Sequence, residues 1–287
     1  MQTFDFQGLG THWSVVLDAP TFPEDLKRSI LDFTTDFEAH FSRFLPASEV
    51  NAFRESGAGA YPVSPTFALL LERASLLRTL TAGAYDPIVA GLLEVAGYGP
   101  QTGVEKIEYG AALPRWSVSG ERLTIDGPVA FDFGGIGKGY AIDQVGQIVR
   151  ESGQNFFLVD GGGDMLGTMK ADGTPWRVAI EYPGKPDLAA GVIDLQNEGL
   201  AVSDRFRRRF GRGHHFIDVE KRTSTDRILG CAAVAGNAFA ADCMTSGLAL
   251  ATPEAYPPLA AALSARYLVF PAEGQVVVSP DWQGELF

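Results

Sequence analysis

A chain of 287 residues, 46% of them hydrophobic, with a net charge of −12, is long enough to bury one sizeable core or two modest ones and has the composition of an ordinary soluble globular protein. The acidic balance argues against a nucleic-acid-binding surface, and no apolar run approaches the length of a membrane span. Cys231 and Cys243 are the only cysteines and have neither a CxxC nor a zinc spacing, so no disulfide framework and no thiolate metal site is expected.

The first residues, Met1-Gln2-Thr3-Phe4-Asp5, lack a basic n-region and an apolar h-region, which leads to the expectation of a cytoplasmic protein, or of a trimmed precursor if it is exported. Residues 4–18 carry β-type residues around Gly8-Leu9-Gly10-Thr11 and predict two short strands or one bulged strand. From Leu26 onward, Ile30, Phe33, Phe37, Phe41 and Phe44 recur every three or four residues, the stripe of a core-facing helix. Pro46 breaks it. Ser64-Pro65 then opens a second helix, with Ser64 as N-cap and Gly83 as its stop. Directly after that stop, Tyr85-Asp86-Pro87-Ile88 forms a turn that sets an aromatic ring and a carboxylate at a helix exit, where a ligand can be held.

The alternation of residues 116–119 and 122–125 around Gly120-Glu121 predicts a hairpin leading into a central strand at 129–133. That strand runs into Gly134-Gly135-Ile136-Gly137-Lys138-Gly139 and then into a helix whose apolar face is Ile142, Val145, Ile148 and Val149. Four glycines in six residues allow a close backbone approach, and a helix N-terminus with Lys138 beside it predicts an anion site. Neither a Walker loop nor a dinucleotide fingerprint fits, because Asp132, Gly139 and Tyr140 stand where those motifs need other residues. A second glycine turn, Asp160-Gly161-Gly162-Gly163-Asp164, follows an apolar strand at 156–159. Further strands are expected at 176–181, 191–195 and 199–203.

Arg205, Arg207, Arg208, Arg209 and Arg212 then precede His214 and His215, a basic cluster in an acidic chain that is either a solvated hairpin or an anion contact. A helix is expected at 237–251, with Asp242 and Ser246 four apart on one face, two hard oxygen donors of the kind magnesium takes. A helix near 259–265 and strands at 267–270 and 275–279 complete an α+β unit without repeats or linkers.

Taken together, these pieces resemble the FAD:protein FMN transferase family, the ApbE-type flavin transferases. Leu9-Gly10-Thr11-His12-Trp13 resembles the family's Met-Gly-Thr strand, residues 41–53 its Ser-x-Tyr/Phe-x-Pro-x-Ser-Glu segment, and Tyr85-Asp86-Pro87 its Phe/Tyr-Asp-Pro-Thr turn. The most specific match is residues 132–143, similar to Asp-Leu-Gly-Gly-Ile-Ala-Lys-Gly-Tyr-Ala-x-Asp; Gly162-Gly163-Asp164 and the segments 176–183, 215–218 and 242–246 follow in the family's order. The chain departs from the pattern at Ile88, Gly137, Ser246 and Val219, and at Asp204-Arg205-Phe206, where Thr-Ser-Gly is expected.

The resemblance implies a fold class of α+β, one compact ApbE-like, T-fold-related domain over residues 1–287 with mixed or antiparallel sheets and flanking helices. It implies magnesium-dependent transfer of FMN from FAD to a threonine or serine of an acceptor flavoprotein, releasing AMP. Carried over, Asp242, Ser246 and the carbonyl of Gly137 hold the metal. FAD is lined by Leu9, Tyr85, Asp86, Pro87, Ile88, Gly135, Gly137, Lys138, Asp164 and His215. Lys138 and the loop amides hold phosphate charge, and His215 or Asp218 takes the acceptor proton. A binding-only FAD protein and a magnesium-dependent FAD pyrophosphatase are the alternatives. Retention of Lys138, Asp242 and Ser246 favours chemistry.

Overall fold

The computed structural model describes residues 1–99, 104–210 and 213–287. Its main sheet has eight strands, all antiparallel, in the spatial order Gln2–Gly8, Thr11–Leu17, Phe157–Gly161, Met165–Gly167, Glu198–Asp204, Ile228–Ala235, Ala265–Pro271 and Val277–Val278. Alternation along the central strands gives the sheet two faces. Leu200, Ala232, Val234, Leu268 and Phe270 pack against a smaller sheet built on Trp176–Tyr182 and Lys185–Leu195. Ala201, Ala233, Ala235 and Val269 point the other way, into the larger core.

That second face is covered by helices. Among the described residues these are α1 (Glu24–Phe41), α2 (Pro65–Leu80), α3 (Val89–Val95), α4 (Gly137–Glu151), α5 (Ala238–Leu250) and α6 (Tyr256–Leu263). The small side chains of Ala201, Ala233 and Ala235 let α5 lie close to the sheet, and every residue of α5 except Ser246 is buried. A helix enclosed to that degree has few polar residues unless they serve a purpose.

Most of the expected elements form. The N-terminal segment is a tight hairpin whose turn residues Leu9 and Gly10 have φ of 51° and 71°, as a two-residue antiparallel turn requires. Ser64 caps α2 by accepting from the Phe67 amide, and Trp116–Ser119 pairs with Arg122–Ile125. The structure corrects two expectations. The first helix ends at Phe41, leaving Phe44 exposed beyond it. The apolar residues of the run at 129–133 are buried but join no sheet: the Val129 amide donates to the Phe53 carbonyl, Ala130 to the Tyr109 hydroxyl, and Asp132 to the Pro87 carbonyl. An apolar run reports burial, and loop carbonyls here take the place of a ladder.

α4 and α5 cap one another. Asp143 of α4 accepts from the Ala238 and Phe239 amides at the start of α5, at 2.8 and 2.9 Å, beside the Asn237 N-cap. Asp242 of α5 accepts from the Gly139 amide in the first turn of α4, at 2.9 Å. Asp143→Ala removes two charge-assisted bonds and is expected to lower stability by about 2 kcal/mol, read as a shift in the urea midpoint at unchanged slope. An unshifted midpoint would mean that water replaces the cap at no cost.

Candidate active site

The cleft lies where α4, α5, the Leu9-Gly10 turn, the Asp86 turn and the segments at 204–208 and 215–217 meet, and it encloses about 330 Å³, within the range of small-ligand sites. Leu9, Tyr85, Asp86, Gly135, Gly137, Lys138, His215, Asp242 and Ser246 line it. Pro87, Ile88, Asp164 and Asp218 stand behind its walls.

Its floor is a charge cluster. The Lys138 ammonium donates to Asp164, which is itself held by the Val202 amide at 3.0 Å, and lies 3.8 Å from Asp242. Burial works against the Lys138 charge, but the two carboxylates outweigh it and hold its pKa above the ordinary lysine value. Asp242 moves to about 7, because burial penalises its charge and Asp164 repels it more than Lys138 and the Gly139 amide compensate.

The expected anion site at the start of α4 is thus filled from within. The anion there is Asp242. The Ile136 and Gly137 amides donate to the Phe133 carbonyl and the Gly134 amide to Asp132, so the loop's N–H groups are largely spent inside the protein.

Beside this floor, the Ser246 hydroxyl donates to the carbonyl of Gly135, two residues before Gly137. A Cβ at Gly135 would stand 2.8 Å from the Ser246 oxygen, so glycine there permits the approach. The Tyr85 ring flanks the same point, and its hydroxyl is buried with no partner among the described residues. Burial keeps that phenol protonated, available as a donor.

Asp86 has a structural duty as well as a place in the wall. It accepts from the Ile88 amide and the Trp116 indole at 3.1 and 2.9 Å, and Arg78 lies 3.0 Å from its other oxygen. With the Pro87 carbonyl on the Asp132 amide, this staples the turn to the glycine loop. Asp218 is held by the Lys221 amide and ammonium, at 3.1 and 2.5 Å.

His215 faces the cleft, its amide donating to the Arg208 carbonyl and its ring lying 4.3 Å from that of Phe216. Burial, with Arg208 nearby, pushes its pKa down to about 3 from 6.5. The folded value lies below the unfolded one, so His215 favours the fold above pH 6.5 and this contribution is lost as the pH falls toward 3. Wild type should therefore lose stability relative to His215→Gln by up to about 1.4 kcal/mol per pH unit between about pH 6 and about pH 4. Two series of urea denaturations measure the difference; parallel series would show a freely solvated ring.

The ApbE family profile matches residues 9–269. The chain belongs to the ApbE family. It is 26% identical over 251 residues to the FAD:protein FMN transferase of Vibrio cholerae, covering 81% of this chain and 74% of that one. With its namesake from Escherichia coli K12 it is 26% identical over 271 residues, 86% of this chain and 77% of that protein. With the one from Rhodobacter capsulatus it is 25% identical over 253 residues, 83% of this chain but 48% of that longer protein, so the chain spans about half the length of that relative. In fold it is similar to the V. cholerae flavin transferase ApbE, with a TM-score of 0.83 at 21% identity over 97% of both chains. The apo form of the Pseudomonas stutzeri flavinyl transferase ApbE matches with a TM-score of 0.81 at 24% identity, over 97% of this chain and 94% of that one. The expected ApbE α+β fold with antiparallel sheets and flanking helices is borne out, as is the expectation of a flavin transferase at the level of the family.

Several residues that build this ApbE cleft carry no sequence signal of their own. Arg43, from the break after α1, binds Asp132 at 2.7 Å and the Tyr98 carbonyl at 2.8 Å, between the Phe44 and Tyr98 rings. The Gly135 carbonyl is a main-chain group, which no residue type announces. The arginine cluster separates into individual roles: Arg205 pairs with Asp226 and Arg207 with Glu181 and Asp204, while Arg208 turns into the cleft. Arg212 lies outside the described residues.

Proposed function

We propose that this cleft binds FAD and transfers its FMN moiety to a threonine or serine hydroxyl of an acceptor protein, releasing AMP, with magnesium bound at its floor. The observation that carries the reading is the meeting of Asp242, Ser246 and the Gly135 carbonyl beside the first turn of α4. These are three hard oxygen donors, and Asp242 spends only Oδ2 on Gly139 and Lys138, leaving Oδ1 without a partner among the described residues. The set fits a small divalent cation that keeps water and phosphate in its remaining positions. The Gly135 carbonyl, which accepts from Ser246, joins that of Gly137 as a main-chain oxygen the cation can take.

Bound there, magnesium would neutralise diphosphate charge and polarise the phosphorus under attack. The chain's own residues position and enclose. Lys138, held between Asp164 and Asp242, fixes both carboxylates against the cleft. The Leu9 turn, Tyr85 and the Phe44 and Tyr98 rings offer apolar and aromatic surface for the flavin or adenine rings. His215 is better placed than Asp218 to meet an acceptor hydroxyl, since it lines the cleft and Asp218 is tied to Lys221. Burial first and Arg208 second keep its pKa low and make it a weak base in the free protein; an anion beside Arg208 would remove the second of these causes.

Titration of the protein with FAD, followed by quenching of flavin fluorescence with and without magnesium, tests this function. One FAD per chain, bound more tightly with magnesium, is expected. Absence of quenching at any magnesium concentration would remove FAD as the substrate.

A further inference from the structure

Four basic side chains, Arg43, Lys138, Arg207 and Arg208, line the cleft. Three of them are paired. Arg43 lies 2.7 Å from Asp132, Lys138 sits between Asp164 and Asp242, and Arg207 contacts Glu181 and lies 3.3 Å from Asp204. Arg208 has no carboxylate within 4 Å among the described residues. It is fixed by its neighbours: its carbonyl takes the His215 amide, and the short strand that follows it pairs with Gly213–His214 and stacks Phe210 on Tyr98 at 5.3 Å. Its guanidinium reaches the glycine loop, with Nη1 4.0 Å from where a Cβ at Gly134 would stand, and its charge bears on Lys138, His215 and Asp242.

A diphosphate brings two negative charges to this floor, where one ammonium already faces two carboxylates. Lys138 has no charge to spare. We infer that Arg208 is the cation that clamps the diphosphate of the nucleotide substrate, its planar guanidinium taking two phosphate oxygens at once. This rests on the flavin-nucleotide reading of the cleft and identifies the protein group that holds the substrate's charge. It also accounts for the separate fates of the clustered arginines: acids on neighbouring segments hold Arg205 and Arg207 in place, and Arg208 remains for the ligand.

The test is calorimetric titration of wild type, Arg208→Gln, Arg208→Lys and Arg209→Gln with inorganic pyrophosphate and, separately, with FAD, magnesium present throughout. Arg209 is exposed and serves as the control for net charge. Arg208→Gln is expected to weaken both ligands about tenfold or more, Arg208→Lys to recover part of the loss, and Arg209→Gln to match wild type. Rising salt should weaken wild type more steeply than Arg208→Gln. A thermal midpoint of Arg208→Gln equal to that of wild type separates lost binding from lost folding. Wild-type affinity of Arg208→Gln for pyrophosphate or for FAD would overturn the proposal. Arg208-dependent pyrophosphate binding with no FAD binding would sustain the clamp and remove the flavin substrate; wild type binding neither ligand would remove both.

Discussion

Asp242→Ala should reduce magnesium-dependent release of AMP from FAD by about a thousandfold or more, the loss of several kcal/mol of charge stabilisation at the reacting phosphate. The carboxylate has three duties: it supplies a hard oxygen to the floor, accepts from the Gly139 amide, and faces Lys138. Alanine removes all three, leaving Lys138 to Asp164 alone. Asp242→Asn separates them, since its amide oxygen can still accept from Gly139 while its charge and metal affinity are lost. Both variants are expected to be inactive. Stability should fall only in the alanine variant, by about 1 kcal/mol for the missing cap, because relief of the repulsion between Asp164 and Asp242 offsets part of the change in charge. Full turnover by Asp242→Asn would remove the carboxylate from the chemistry.

Gly139→Ala should destabilise the protein by about 3 kcal/mol, although alanine is the better helix former by about 1 kcal/mol. The backbone conformation is ordinary; the space is not. A Cβ at 139 would stand 2.4 Å from the carbonyl oxygen of Ala238 and 2.7 Å from Cβ of Asp242, so the backbones of α4 and α5 would have to part. Separation also draws Asp242 away from the Gly139 amide, so activity is expected to fall with stability. Gly137→Ala is the contrast. Its Cβ would meet nothing closer than Phe133 at 3.6 Å, ordinary contact, and a near-unchanged urea midpoint is expected. Equal midpoints for the two variants would show that the helices yield to a methyl group and that their spacing does not set the site.

These two glycines also show what the sequence disclosed. Four glycines around one lysine mark a loop that lines the cleft, but the conformational reason inferred for them does not hold: none of Gly134, Gly135, Gly137 and Gly139 has positive φ. Gly135 and Gly139 are there for space, to admit Ser246 and α5, and a close approach between helices far apart in sequence leaves no local pattern. Asp242 and Ser246 were legible because a carboxylate and a hydroxyl four apart share one face of a mostly apolar helix. Strand and helix positions followed from period and caps wherever an element had a regular partner. The run at 129–133 misled because burial without a ladder has the same apolar composition as a central strand. The roles of Arg208, Tyr85 and Asp143 depend on which charges and hydrogen-bonding groups meet across the fold, which only the assembled structure reveals.

The most direct test of a flavin transferase is to incubate the protein with FAD and magnesium in an extract of cells that lack their own flavin transferase, then follow covalent flavin fluorescence on a denaturing gel together with AMP by chromatography. The expected result is magnesium-dependent fluorescent bands, one AMP released for each flavin attached, and neither signal with Asp242→Ala. Free FMN and AMP with no labelled protein would contradict transfer and leave a pyrophosphatase; FAD bound but recovered intact beside unlabelled protein would leave a binding protein.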